Sequence, residues 1–258
     1  MPFAHCHGAG RIHYAERGER RPGRDPVLLI HGAGASSAIW MMVMARIGRH
    51  TRAVAIDLPG HGPSPIAKAP GEARPTPTLG GYRDAVGELG ALTALGPSVL
   101  VGHSMGALVA IEAAATWPDK VTGLVLCAAA PRLPVSRDLL ATLESDYGHF
   151  PDWLAARALS PAAKPALRRA FAAAGVAAPR DVTLGDFAAI DGVDLEPQLR
   201  QVRCPVIWLD GADDRIVSES PPRPGEVRVL PGVGHLVPIE APGEVAAAAI
   251  ELTERRAE

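Results

Sequence analysis

The sequence predicts an α/β fold in which a parallel sheet is covered by helices on both faces. Short runs that are apolar throughout, rather than alternating, are typical of strands buried on both sides of a parallel sheet. Helical patterns separate these runs, and the Ala-rich segment Met105–Thr116, stopped before Trp117-Pro118, is predicted to be a crossover helix between two of them. The predicted strands are Val27–Ile30, Arg52–Ile56, Ser98–Val101, Val121–Cys127, Pro205–Leu209 and Val227–Leu230.

A helical insertion interrupts this pattern between the fourth and fifth of these runs. Apolar strand-like runs are absent from the sequence of 132–203, where Pro and Gly separate amphipathic segments. Ser136 followed by Asp138 indicates a helix start. We therefore expect an α/β domain made of 1–131 and 204–258, with a small helical cap over 132–203. The predicted insertion helices are Ser136–Tyr147, Asp152–Leu159 and Pro161–Ala174.

Composition excludes several classes of protein. The chain has 258 residues, is 47% hydrophobic and 21% charged, and carries a formal net charge of −2. Its length suffices to bury a core, and this composition excludes a mainly disordered chain. The near-neutral charge lacks the electrostatic footprint of a protein that binds nucleic acid or an anionic membrane. A small molecule is therefore the expected partner.

The sequence also indicates a cytoplasmic location. Its apolar runs are far shorter than the roughly 20 residues of a membrane span, and its first residues lack the pattern of a signal peptide. The three cysteines Cys6, Cys127 and Cys204 cannot all pair, and the last two lie in apolar runs. Buried free thiols fit a reducing compartment. The Pro- and Ala-rich segment Pro63–Pro77 is predicted to be a surface loop.

The motif that indicates chemistry is Gly102-His103-Ser104-Met105-Gly106. It follows a predicted strand and precedes a predicted helix, the context in which a Gly-x-Ser-x-Gly turn presents a nucleophilic serine. The glycines permit a sharp turn, and Ser104 lies at the positive end of the following helix. The alternative is a Gly-rich turn whose serine only caps the helix. A serine nucleophile also needs a histidine base.

A candidate acid and a candidate base follow in the chain. Asp214 comes shortly after the predicted strand Pro205–Leu209, and His235 comes shortly after Val227–Leu230. The carboxyl ends of parallel strands share one edge of the sheet, where ligand sites form. The order Ser, Asp, His is the order expected when such a turn carries a catalytic triad.

Together these motifs resemble the α/β-hydrolase fold superfamily over nearly the whole chain. The resemblance also includes His31-Gly32-Ala33-Gly34 and the segment from Asp57 to Ser64. It implies a mostly parallel eight-stranded sheet flanked by helices, with the cap inserted after the sixth strand. It further implies Ser104 as nucleophile, His235 as base, Asp214 as acid, and an oxyanion hole made by the backbone N–H groups of Ala33 and Met105. No metal or organic cofactor is implied.

Other residues in the sequence compete for these roles. Asp210 and Asp213 lie near Asp214, which the family spacing Gly-x-x-Asp selects, and His103 lies inside the turn and is a poor base. The resemblance implies structural or hydrogen-bonding roles for three loop residues, His31, Asp57 and His61. His5 and His7 have the spacing of metal ligands, but no further ligand is evident nearby, so a solvated strand is the better interpretation.

The predicted function is hydrolysis of small to medium uncharged carboxylic esters by a carboxylesterase-like enzyme. Serine at position 104 argues against haloalkane dehalogenases and epoxide hydrolases, relatives that carry Asp there. Thioesterase, lactonase, carbon–carbon bond hydrolase and perhydrolase activities remain alternatives, as does a small-molecule receptor with residual hydrolysis. An uncharged substrate is favoured because the insertion has no evident Arg cluster. Its aromatic residues are Tyr147, Phe150, Trp153, Phe171 and Phe187.

Overall fold

The computed structural model describes residues 2–66, 76–174, 176–217 and 223–254. Within these ranges the strands pair into one eight-stranded sheet in the order β1-β2-β4-β3-β5-β6-β7-β8. The strands are β1 (Phe3–Cys6), β2 (Gly10–Arg17), β3 (Val27–Ile30), β4 (Ala53–Ile56), β5 (Ser98–His103), β6 (Val121–Cys127), β7 (Val206–Gly211) and β8 (Glu226–Leu230). The predicted fold class is therefore confirmed.

Six of the strands run parallel, and their ends align. Strands β1 and β2 join the sheet antiparallel, whereas β4, β3, β5, β6, β7 and β8 pair parallel in that order. In the register of the central strands, Ile30 lies opposite Gly102, and His103 lies opposite Cys127. The loops that follow β3, β5 and β6 therefore open at the same edge of the sheet.

Helices cover both faces of the sheet. Two buried apolar clusters occupy the two faces, one containing Leu89 and Trp208 and the other containing Trp40. Helices α2 and α3 pack on each other, as do α1 and α10. The helices are α1 (Met41–Ile47), α2 (Leu79–Leu92), α3 (Met105–Thr116), α4 (Arg137–Ser145), α5 (Phe150–Ala158), α6 (Pro165–Ala174), α7 (Arg180–Ile190), α8 (Glu196–Leu199), α9 (Val237–Glu240) and α10 (Pro242–Thr253).

Five of these helices, α4 to α8, lie between β6 and β7, where the insertion was predicted. Ser136 caps α4, because its side chain accepts a hydrogen bond from the N–H of Leu139. Leu139, Leu143 and Phe150 form a small apolar cluster of their own. The insertion thus has local packing in addition to its contacts with the α/β domain.

The structure adds elements that the apolar runs did not predict. Strand β2 is an antiparallel strand with only partial burial, and α7 begins after Pro179 without a side-chain cap. Most of the predicted loop Pro63–Pro77 lies outside the described residues. No helix in the described ranges combines the length and apolar character that crossing a bilayer requires.

Candidate active site

Ser104 sits on a strained turn between β5 and α3. Its φ is 52° and its ψ is −120°, a conformation that non-glycine residues rarely adopt. The turn needs glycine on both sides. A Cβ on Gly102 would lie 2.4 Å from the carbonyl oxygen of Gly106, and a Cβ on Gly106 would lie 2.3 Å from that of Ile30. The same motif that suggested a nucleophile therefore builds the turn that exposes Ser104 at the sheet edge.

Asp214 and His235 form a buried pair beyond the ends of β7 and β8. The Nδ1–H of His235 donates to Oδ2 of Asp214 over 2.9 Å. The other carboxylate oxygen of Asp214 accepts the backbone N–H groups of Ile216 and Val217 at 2.8 and 3.0 Å. With Nδ1 carrying the proton, the neutral ring keeps Nε2 as its acceptor nitrogen.

The hydrogen bonds around Asp214 favour its ionised form. Burial by itself would raise the pKa of this carboxyl, but the hydrogen bond and charge of His235, together with the two backbone N–H groups, lower the pKa below its ordinary value. A carboxylate at this position orients the imidazole and stabilises it when it becomes protonated.

The two neighbouring aspartates have other partners. Oδ2 of Asp213 accepts a hydrogen bond from the hydroxyl of Ser160 at 2.5 Å, and Asp210 forms an ion pair with Arg223. The structure therefore brings Asp214, and neither of these alternatives, to His235.

The insertion also holds the backbone of His235. Its N–H donates to the carbonyl of Ala158, at the end of α5, over 2.7 Å. Glu240 accepts the N–H groups of Gly234 and Ser160 at 3.0 and 2.8 Å and so joins the His235 loop to the insertion. Burial raises the pKa of this carboxyl. The sequence showed Glu240 downstream of His235 but gave no indication of this bridge.

Ser104 and His235 line one cavity of about 610 Å³ between the sheet edge and the insertion. Within the described residues no hydrogen bond joins their side chains. Such catalytic contacts often form only when substrate is bound. The walls are mainly apolar and include Leu154, Phe150, Phe171, Phe187, Leu236 and Ile239, with Met41 and Met42 among the lining residues.

The backbone N–H groups predicted to bind an oxyanion both flank Ser104. Met105 follows it at the start of α3, and Ala33 lines the same cavity from the loop after β3. Neither N–H has an acceptor among the described residues. A Cβ on Gly32 would lie 3.2 Å from the Cβ of Ser104, which shows how closely the loop that carries Ala33 approaches Ser104.

Two other polar residues of the sequence motifs, His103 and Asp57, form hydrogen bonds within the α/β domain. The Nε2–H of His103 donates to the carbonyl of His235 at 2.9 Å, and burial lowers the pKa of His103 to about 3, so it stays neutral. Asp57 pairs with His13 and accepts the N–H of Ser37 at 2.6 Å. These contacts tie the active-site loops to the sheet.

A second cavity, of about 450 Å³, also reaches Ser104. Three arginines, Arg132, Arg157 and Arg215, line it together with Asp138. The sequence of the insertion shows no evident Arg cluster, but the fold brings Arg132 and Arg157 of the insertion to the same cavity as Arg215 of the α/β domain. Arg132 pairs with Asp194, and Arg215 donates to backbone carbonyls, whereas Arg157 lies over the ring of Trp153 at 4.4 Å.

The other candidates lie apart from this site. His5 belongs to β1, whereas His7 lies in the following turn. Among the described residues no three His, Cys, Asp or Glu side chains are grouped closely enough to hold a metal ion. All three cysteines are free, and Cys204 is only partly buried, contrary to expectation.

Comparison with known proteins identifies relatives over most of the chain. A pimeloyl-[acyl-carrier protein] methyl ester esterase from Xanthomonas oryzae pv. oryzae is 32% identical in an alignment 213 residues long that covers 76% of this chain and 79% of that protein. An enol-lactonase structure from Burkholderia xenovorans has a TM-score of 0.80 at 20% identity, covering 97% and 99% of the two chains. A malate-bound thermophilic esterase from Thermogutta terrifontis has a TM-score of 0.79 at 24% identity, covering 97% of each chain.

These two structural likenesses concern the fold alone. The family assignment comes from the sequence, since the model of the alpha/beta hydrolase family matches residues 27–248. That span includes Ser104, Asp214 and His235 and the insertion. The chain belongs to the alpha/beta hydrolase family.

Proposed function

We propose that this protein is a serine hydrolase that cleaves small to medium uncharged carboxylic esters through an acyl-enzyme. The observation that supports it most is the convergence of Ser104 and the Asp214–His235 pair at one mainly apolar cavity. A cavity of about 610 Å³ has the size of a small-molecule site. The esterase relative described above supports the same reaction class.

The reaction would proceed in two steps, acylation of Ser104 in the first half and hydrolysis of the acyl-enzyme in the second. Oγ of Ser104 attacks the ester carbonyl carbon while Nε2 of His235 takes the hydroxyl proton. The tetrahedral intermediate then collapses, its carbon–oxygen bond breaks, and His235 returns the proton to the leaving alcohol. In the second half, water gives a proton to Nε2 of His235 and attacks the acyl carbon. The bond from that carbon to Oγ of Ser104 then breaks, His235 returns the proton to Oγ, and the carboxylic acid leaves.

The N–H groups of Met105 and Ala33 would stabilise the oxyanion in both halves. Their backbone positions are set by the turn at Ser104 and by the loop after β3. Loss of one such donor in a serine hydrolase costs about 3–4 kcal/mol of transition-state stabilisation.

We assign the insertion the role of a cap, since its helices α4 to α7 supply much of the wall of the cavity. A cytoplasmic location also belongs to this proposal, and the three free cysteines support it. The net charge of −2 supports a small-molecule partner rather than a nucleic acid or a membrane.

The function is tested with a series of p-nitrophenyl esters of increasing acyl length, beside lactones, thioesters, a carbon–carbon bond substrate and peroxide-dependent perhydrolysis. We expect the highest kcat/KM on short to medium uncharged esters, and we expect Ser104→Ala to lower kcat about 10⁵–10⁶-fold. If kcat/KM is highest for a lactone, a thioester, the carbon–carbon bond substrate or perhydrolysis, the protein would be assigned that activity instead. Turnover near zero, with saturable ligand binding that survives Ser104→Ala, would indicate a receptor.

A second candidate substrate is an ester that carries an anionic group at a distance from the reacting bond. It is favoured by the three arginines of the second cavity and by the acyl-carrier substrate in the relative's name. The test compares the monomethyl ester of a dicarboxylic acid with the methyl ester of a monocarboxylic acid of equal length. If the arginines bind the anion, Arg157→Gln lowers kcat/KM for the first ester and leaves the second unchanged.

A further inference from the structure

Asp186, on helix α7 of the insertion, is a fully buried acid that the proposed mechanism does not use. Its carboxylate accepts three hydrogen bonds from three different parts of the α/β domain. Oδ2 accepts the backbone N–H of Gly34 at 2.9 Å and Nε2–H of His61 at 2.8 Å. Oδ1 accepts the hydroxyl of Tyr82 at 2.5 Å. A buried carboxylate with this many donors is a strong anchor.

The insertion holds Gly34 through its carbonyl as well. The N–H groups of Ala177 and Ala178, just before α7, donate to this carbonyl at 2.9 and 3.2 Å. Gly34 has a φ of 67°, and a Cβ there would lie 2.7 Å from Cγ1 of Val176. The backbone of Gly34 is therefore fixed on both sides by the segment 176–186.

Gly34 adjoins the residue that offers its N–H to the oxyanion. The preceding peptide joins Gly32 to Ala33, and its carbonyl oxygen accepts Nδ1–H of His31 at 2.9 Å and the N–H of Ala35 at 3.2 Å. Because a peptide unit is planar and trans, fixing that oxygen aims the N–H of Ala33 in the opposite direction. Asp186 accepts the N–H of the next peptide unit, which joins Ala33 to Gly34. The peptide units before and after Ala33 are therefore both held by hydrogen bonds.

We propose that Asp186 is a positioning residue that sets the direction of the Ala33 N–H and so makes the oxyanion hole depend on helix α7 of the insertion. This inference rests on the proposed function. The insertion then contributes to transition-state stabilisation in addition to forming a wall of the substrate cavity.

The neighbouring groups are suited to this role. Burial, and then the charge and hydrogen bond of Asp186, raise the pKa of Tyr82 far above its ordinary value, so its hydroxyl remains a donor. Burial also lowers the pKa of His31 well below its ordinary value. Neutral His31 donates from Nδ1 and accepts the N–H of Leu58 at Nε2 over 3.1 Å, which fixes its tautomer.

The test is Asp186→Asn, which keeps the volume of the side chain but replaces one acceptor oxygen by an NH₂ group. We expect kcat for a p-nitrophenyl ester to fall about ten- to a hundredfold, as for a misplaced catalytic group, with KM within about threefold. The affinity for an alkyl trifluoromethyl ketone, which forms an oxyanion on adding Ser104, should fall by the same factor. The matched control is Asp152→Asn, an exposed acid of the same insertion, which should leave both values unchanged.

Several results would overturn the inference. Wild-type kcat and ketone affinity in Asp186→Asn, even with a lower Tm, would make Asp186 a purely structural anchor. An increase in KM alone would place its effect on the substrate cavity. If Asp186→Asn does not fold, Tyr82→Phe removes one donor without a change in volume, and an unchanged kcat and ketone affinity there would reject the proposal. Absence of all wild-type ester hydrolysis would instead remove the proposed function itself.

Discussion

Nδ1 of His235 lies 2.9 Å from Oδ2 of Asp214, and the two side chains are only 7% and 5% exposed. Elsewhere in this loop, Asp213 is engaged by Ser160 of the insertion. The two adjacent aspartates therefore have different partners, the imidazole of His235 for Asp214 and Ser160 of the insertion for Asp213.

This separation predicts a ranking of two conservative substitutions. Asp214→Asn should lower kcat about 10⁴-fold, because an amide beside Nδ1 favours the wrong tautomer of His235. Asp213→Asn removes only a contact with Ser160 and should lower kcat by about tenfold at most. Steady-state kinetics on one p-nitrophenyl ester checks both variants. The opposite ranking would assign the acid to Asp213.

The buried side chain of His103, next to Ser104, predicts that the folded protein loses stability in acid. The pKa of folded His103 is about 3, against an ordinary value of 6.5. Between these values the unfolded chain binds a proton that the folded chain does not, so stability falls as the pH decreases. From pH 6.5 to pH 4 this one group accounts for about 3 kcal/mol of lost unfolding free energy.

The measurement is urea unfolding at pH 7 and at pH 4. His103→Gln should lose less stability on acidification than the wild type. His50→Gln, at an exposed position, is the control and should behave like the wild type. Burial shifts the pKa of His31 in the same direction, so acid sensitivity is reduced but not abolished in His103→Gln. Equal acid sensitivity of that variant and the wild type would contradict this account.

Substitution by alanine should have opposite effects on stability at Gly106, in the turn after Ser104, and at Gly90, in helix α2. A Cβ at Gly106 would meet the carbonyl oxygens of Ile30 and His31 at 2.3 and 2.5 Å, so Gly106→Ala should lower stability by more than about 3 kcal/mol. Gly90, inside α2, has open space around its Cβ position, and Gly90→Ala should stabilise the protein by about 0.5–1 kcal/mol. Thermal unfolding distinguishes them. A tolerated alanine at position 106 would show that the turn can relax.

The sequence predicted the parts of the fold and site that depend on local pattern. The apolar runs gave the parallel strands, Met105–Thr116 has the predicted bounds, and the spacing of Ser104, Asp214 and His235 indicated one sheet edge. Strand β2 was missed because its two neighbours are antiparallel and its burial is partial, so it lacks a continuous apolar run.

Long-range contacts were beyond such patterns. Asp186 and Gly34 are 152 positions apart, and only the packing of the insertion on the sheet brings them together. The same is true of Arg132, Arg157 and Arg215, which no local motif groups. Composition and motif spacing therefore do not predict that these residues meet near the candidate site.

Covalent modification by phenylmethylsulfonyl fluoride tests directly whether Ser104 is the nucleophile. We expect one sulfonyl adduct per chain, located on Ser104 by fragment-ion mass spectrometry, and loss of ester hydrolysis in proportion to labelling. Ser104→Ala should take up no adduct and should lose about 10⁵–10⁶-fold in kcat. Inactivation through an adduct on a different residue, or retained hydrolysis by Ser104→Ala, would contradict the assignment of Ser104 as the nucleophile.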